Sequence, residues 1–172
     1  GFLRPLNETL LHNVKKSVVI PLMYEAWEIR EQDIDIAYCK ENDIIVAGTN
    51  EGYSDTPVFE YVQELAVKMA NEAGYEVKGN KILVWSNDHF GEEAKKGFER
   101  NGADVIVTAD FDKLISVFAD VDFIFVCDYD EERPYISKQG VFDIEKMLEL
   151  NSSFGIVHLY GSVNTENNFD DN

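Results

Sequence analysis

Residues 81–91 read Lys-Ile-Leu-Val-Trp-Ser-Asn-Asp-His-Phe-Gly. Five residues of mostly large apolar character, Lys81 to Trp85, end abruptly in a polar turn, and a helical pattern follows over 91–101. Such a short apolar run has no polar face, which suits a strand buried on both sides. A buried strand that runs through a tight turn into a helix opens a βαβ unit, and such crossovers are right-handed and leave their strands parallel.

The same signature recurs outward along the chain. Residues 104–108 (Asp-Val-Ile-Val-Thr), 122–127 (Asp-Phe-Ile-Phe-Val-Cys) and 154–159 are predicted strands, with helices over 111–119 and 141–150 between them. Four apolar strands alternating with helices predict an α/β protein with a doubly wound parallel sheet. Upstream, 17–22 and 43–47 read as two more buried strands. Between them, 33–42 places Ile34, Ala37 and Tyr38 at the spacing of a helix laid on a sheet. A further helix-like stretch is expected directly after Gly1. The segment 57–73 puts Val58, Tyr61, Val62, Leu65, Ala66 and Met69 on one face, with Pro57 at its start and Gly74 at its stop, and predicts a helix connecting two lobes. The expected organisation is a βαβ lobe over 1–50, a connector over 51–78, the main α/β domain over 79–164 and an acidic tail over 165–172.

Composition narrows the functional classes. With 172 residues and 45% hydrophobic content the chain can bury a core, so a disordered protein is excluded. Against 33 acidic residues stand 15 basic ones, a formal charge of -18, which sets the chain against nucleic acid and anionic membrane as partners. Cys39 and Cys127 lie in apolar surroundings without metal-type spacing, as reduced core thiols of a cytoplasmic protein would. The acidic run 128–132, Asp-Tyr-Asp-Glu-Glu, has no histidine beside it and reads as a solvated loop rather than a metal site. No metal is expected.

Several junctions carry a resemblance. Residues 33–46 (Asp-Ile-Asp-Ile-Ala-Tyr-Cys-Lys-Glu-Asn-Asp-Ile-Ile-Val), the Val58-Phe59-Glu60 opening of a helix, the Gly79-Asn80-Lys81 entry to a strand, and the approaches at 101–105 and 119–122 come in one order. Together they resemble the NAD-dependent D-isomer-specific 2-hydroxyacid dehydrogenases, of the formate, glycerate and phosphoglycerate dehydrogenase type, over about 33–163. The resemblance implies a Rossmann-like domain preceded by part of a flavodoxin-like substrate lobe, with NAD or NADP as cofactor.

It also shows where the chain departs from the family. The family's phosphate loop, Gly-x-Gly-x-x-Gly, falls on Ser86, Asn87, Asp88, His89, Phe90 and Gly91, so only the third glycine is kept. Asp88 puts a carboxylate where pyrophosphate should meet bare backbone. Two like charges about 4 Å apart cost about 4 kcal/mol at an effective dielectric near 20, a large part of the roughly 8 kcal/mol of a micromolar complex. The acidic residue that binds ribose falls on Ala109, with Asp110 one place later and open to two roles, ribose ligand or helix cap. The family's substrate arginine falls on Tyr160, in Val157-His158-Leu159-Tyr160-Gly161, which removes a fixed fork for a carboxylate. The family's acid/base histidine and its acidic partner come from segments beyond this motif, so no catalytic residue is assigned, and His158 reads as a core histidine. Further positions on the crevice are Thr49, Asn50, Cys127 and Tyr160. The loop of Tyr24, Trp27, Glu28 and Arg30 follows a strand, where open α/β sheets bind ligands, and suits a subunit contact equally well.

The expectation is therefore a Rossmann-type, NAD(P)-binding relative of the 2-hydroxyacid dehydrogenases without intact hydroxyacid dehydrogenase activity. The alternative is a non-catalytic dimerisation or small-ligand-sensing module on the same fold. A homodimer is expected, because the first lobe and the connector leave apolar surface that one chain covers poorly.

Overall fold

The structure is a computed structural model that describes residues 3–53, 55, 57–129, 134–136, 140–161 and 163. It divides into two compact units, Gly1–Pro57 and Val58–Asn172.

In the first unit, strands β1 (Val19–Pro21) and β2 (Ile45–Ala47) pair in parallel, Val19 opposite Ile45 and Pro21 opposite Ala47, with helix α2 (Ile36–Glu41) between them in sequence. This is the expected βαβ unit in shortened form. The predicted helix over 33–42 begins only at Ile36. Asp33 and Asp35 exchange backbone hydrogen bonds with Leu6, which holds this stretch extended, and the Asp35 carboxylate then caps α2 by accepting the Tyr38 N–H at 2.9 Å. The helix expected directly after Gly1 is likewise displaced: Leu6 belongs to that bridge, and α1 covers only Glu8–Leu11, capped by Asn7. Leu11, Leu22, Ile34, Cys39 and Ile44 form a small core.

The second unit is a four-stranded parallel sheet in the order β4-β3-β5-β6, made of β3 (Lys81–Trp85), β4 (Asp104–Thr108), β5 (Phe123–Cys127) and β6 (Gly155–Tyr160). The chain leaves β3 for β4 on one side and returns for β5 on the other, so the winding reverses between β3 and β5. Helices cover both faces, which is the doubly wound arrangement. Alternation along β3 divides the core: Ile82 and Val84 pack with helices α3 (Tyr61–Glu72) and α4 (His89–Arg100), while Leu83 and Trp85 face α5 (Phe111–Val117) and α6 (Ile144–Leu150).

The connector helix packs within this second unit, against α4. Its predicted stripe is corrected in part: Val62, Ala66 and Ala70 are buried, whereas Val58 and Tyr61 are exposed. Residues 58–60 form a tight turn whose carbonyls accept bonds three residues on, so the helix starts at Tyr61 rather than Pro57. The small side chains of Ala66 and Ala70 let α4 approach closely. A Cβ added at Gly97 would lie 2.2 Å from the Gln63 carbonyl oxygen. Helix α6 also starts later than predicted, because the Val141 and Phe142 N–H groups are bonded to the carbonyls of Pro134 and Tyr135, and Asp143 caps the helix.

Candidate functional site

The reversal between β3 and β5 creates the crevice in which open α/β sheets hold ligands, at the carboxyl ends of the strands. Here it is built around one carboxylate. Asp88 sits in extended conformation just before α4 and accepts the Phe90 N–H at 2.8 Å through Oδ1. The Ser86 hydroxyl lies 2.9 Å from the same oxygen, and Oδ2 accepts the N–H of Tyr129, just past β5, at 3.0 Å. The cap shortens the turn, so α4 begins at His89 rather than at the predicted Gly91. One side chain thus closes the first turn of α4 and ties it to the neighbouring strand's end.

The retained glycine has a steric reason. A Cβ on Gly91 would come within 2.5 Å of the Ser86 Cβ, so helix and turn pack at a distance only glycine permits. Ser86 itself is buried. Cys127 ends β5 beside it, fully buried, and its thiol is pushed up to about 12 by burial first and then by the charges of Asp88 and Asp128, against a hydrogen bond with Ser86. It stays protonated and serves as packing, not as a nucleophile.

Around the crevice mouth stand rings. His89 stacks on Phe90 with centroids 4.5 Å apart, Phe59 meets both edge-on, and Phe90 lies 4.7 Å from Tyr160 and 6.1 Å from Tyr129. Tyr129 and Tyr160 meet at 5.7 Å. The structure therefore brings Ser86, Asp88, His89, Phe90, Gly91, Cys127 and Tyr160 together, with Asn87 exposed in the same turn. Sequence reasoning missed Phe59 and Tyr129. The run of adjacent aromatics His89-Phe90 was a signal, but nothing local marks a contact made from 30 residues upstream or 39 downstream.

Asp110 follows β4 and caps α5, its Oδ1 accepting the N–H groups of Asp112 and Lys113 at 2.9 and 3.1 Å. Its side chain is at the surface. His158 lies on β6 in line with Val126 of β5 and, through it, Trp85 of β3. His158 Nε2 and Trp85 Nε1 are buried without a hydrogen-bond partner among the described residues. Gly161, at φ +102°, accommodates the buried Tyr135 ring, whose hydroxyl donates to the Asp128 carbonyl at 3.0 Å.

Thr49 and Asn50 belong to the first unit. The Thr49 hydroxyl donates to the Leu22 carbonyl at 2.9 Å, and the Asn50 carbonyl accepts from Tyr53. The Tyr24 to Arg30 loop contains a single 3-10 turn, Ala26–Glu28. Its Glu25 carboxylate accepts from the Trp27 indole and from the Glu51 N–H, leaving Trp27 exposed and Arg30 at the surface. Burial, then the charges of Glu28 and Glu25, raises the Glu51 carboxyl above its ordinary value. Of the acidic run, Asp128 is buried and residues 130–132 lie outside the described residues; no metal-binding cluster occurs among those described. Nor is any described helix long and apolar enough to cross a membrane.

These residues do not fit a dinucleotide's pyrophosphate. In the Rossmann pattern the helix N–H groups and bare glycine backbone meet the phosphates. Here the Asp88 carboxylate already takes the Phe90 N–H and brings like charge to the same place.

No family model matches the sequence, and no curated protein matches it. Solved structures do resemble its fold. A dehydrogenase from Rhizobium meliloti is 15% identical with a TM-score of 0.53 over 92% of this chain and 60% of its own. A D-isomer-specific 2-hydroxyacid dehydrogenase from Lactobacillus delbrueckii ssp. bulgaricus, in its NAD-complexed form, is 14% identical with a TM-score of 0.53 over 88% of this chain and 52% of its own. A dipicolinate synthase A chain from Bacillus subtilis is 12% identical with a TM-score of 0.51, over 91% and 61%. The chain thus spans about half to three fifths of the length of these proteins. Its parallel β4-β3-β5-β6 sheet, wound on both faces, has the Rossmann-like fold of the D-isomer-specific 2-hydroxyacid dehydrogenases.

Proposed function

We propose that this chain is a Rossmann-type protein related to the 2-hydroxyacid dehydrogenases that lacks their hydroxyacid dehydrogenase activity and works as a small-ligand module. The observation that carries this reading is the bonding of Asp88: its carboxylate occupies the anion position at the α4 N-terminus and ties it to Tyr129. Tyr160, where the resemblance places the substrate arginine, supports it independently. Calorimetric titration of NAD, NADH and NADP, paired with turnover assays on D-lactate and D-glycerate, tests it. The expected result is no binding below about millimolar concentration, where the available free energy is only about 4 kcal/mol, and background turnover. Micromolar affinity or turnover would overturn the proposal.

A second reading, retained NAD(P) affinity held at the ribose end, is favoured by Asp110. Both of its cap bonds use Oδ1, at the surface beyond β4. Loss of a measurable nucleotide affinity in Asp110→Asn would favour it. The buried free thiols Cys39 and Cys127 fit a reducing cytoplasm. The apolar outer face of the first unit, where Val19 and Ile45 are paired and exposed, fits a homodimer, which light scattering on the eluting protein would measure.

A further inference from the structure

The crevice that holds anions in dinucleotide-binding domains here carries a ring cluster whose backbone bonds a carboxylate. Among the described residues Asp88 is bonded to neutral donors, the Ser86 hydroxyl and the Phe90 and Tyr129 N–H groups, which share its charge. Those two N–H groups belong to two residues of the ring cluster. Phe90 is the hub of the cluster, in ring contact with Phe59, His89, Tyr129 and Tyr160. Tyr129 is 41% exposed, and His89 is also exposed, so ring surface is open to solvent. Burial and the Asp88 and Asp128 charges acting on Cys127 describe the same negative end of β5.

Ring faces carry negative electrostatic potential and attract cations within about 6 Å, an effect strengthened by partial desolvation and by a neighbouring carboxylate. Anions meet the opposite balance, since both groups that would have attracted them, bare helix N–H and an arginine, are replaced. We propose that the shelf formed by Phe90, Tyr129 and Tyr160 beside Asp88 binds an organic cation, an alkylated or aromatic ammonium group. The inference rests on the small-ligand reading above and names its ligand class.

Three probes that share one ring and differ in charge test it: benzyltrimethylammonium, benzyl alcohol and benzoate. They are titrated against the full chain by NMR at pH 8 and at about 0.15 M salt, which screens the overall negative charge beyond about 8 Å. The ammonium probe should bind about tenfold more tightly than the alcohol, with shifts at Phe90, Tyr129 and Tyr160, and benzoate should bind weakest. In Tyr160→Arg the order should reverse, and in Asp88→Asn, which keeps an oxygen for the cap, the ammonium probe should lose its advantage over the alcohol. Tyr160→Leu, a milder change at the same position, should weaken the ammonium probe most. Equal affinities, no binding by any probe, or an ammonium preference unchanged in Tyr160→Arg would each overturn the proposal. Micromolar NAD binding would sink the functional reading instead, so the two fail separately.

Discussion

At Asp88 a side-chain carboxylate, not bare backbone, meets the terminus of α4. Replacing it with alanine removes the α4 cap and the tie to Tyr129, which should lower unfolding stability by about 1–2 kcal/mol, while Asp88→Asn should lose less; urea denaturation of the two variants measures the difference. Cys127 makes a second prediction. The unfolded chain releases this thiol proton near its ordinary value, whereas the folded chain holds it to about 12. The folded state therefore binds more protons across that interval, and stability should fall as pH rises through it, by up to about 1.4 kcal/mol per pH unit. At pH 8 the native protein should leave Cys127 unalkylated by iodoacetamide, and denaturant should expose it; rapid labelling of the native chain would show the crevice to be open. These residue roles were only partly legible in the sequence. The intrusion of a carboxylate into the phosphate loop could be read from Asp88 alone, but its bond to Tyr129 spans 41 positions and depends on which strand lies next to β3.

Between elements, the closest approach is that of α3 and α4. Gly97→Ala improves helix propensity by up to about 1 kcal/mol, yet its Cβ would meet the Gln63 backbone, and overpacking of that kind costs about 1–3 kcal/mol. A net loss of stability is expected by thermal unfolding, and a gain would mean that the helices separate freely. On the same contact, Glu93 feels burial, which raises its carboxyl, but hydrogen bonds from Lys96 and Gln63 outweigh this and hold it below its ordinary value. Its stabilising effect is present above the ordinary carboxylate range and is lost as pH falls, so the urea midpoints of the wild type and Glu93→Gln should differ at pH 7 and converge near pH 3. Strands were the most legible elements: 81–85 and 104–108 match β3 and β4 to the residue, since each apolar run is bounded by turn-forming residues, Gly79-Asn80 and Ser86-Asn87 for the first and Asn101-Gly102 and Asp110 for the second. Helix starts were less so. Those of α2, α4 and α6 are set by capping aspartates, Asp35, Asp88 and Asp143, which compete with neighbouring hydrophobic residues for where the first turn begins.

Across the whole molecule, the two units differ in how much core they own. The first buries five hydrophobic residues in its cluster, whereas the second has clusters on both faces of its sheet. A fragment of 58–172 should therefore fold cooperatively by itself and one of 1–57 should not, with circular dichroism on heating as the measure; a cooperative transition in the short fragment would refute this. The parallel winding was legible from the alternation of strands and helices. The order β4-β3-β5-β6 was not, because strands of similar composition do not name their neighbours. The Asp88 tie also has a kinetic side. A diffusible phosphate leaves its site empty whenever its concentration drops, but a carboxylate fixed one residue from the helix it caps stays at high effective concentration. The first turn of α4 therefore carries its own counter-group, a covalently attached carboxylate that no dilution can remove.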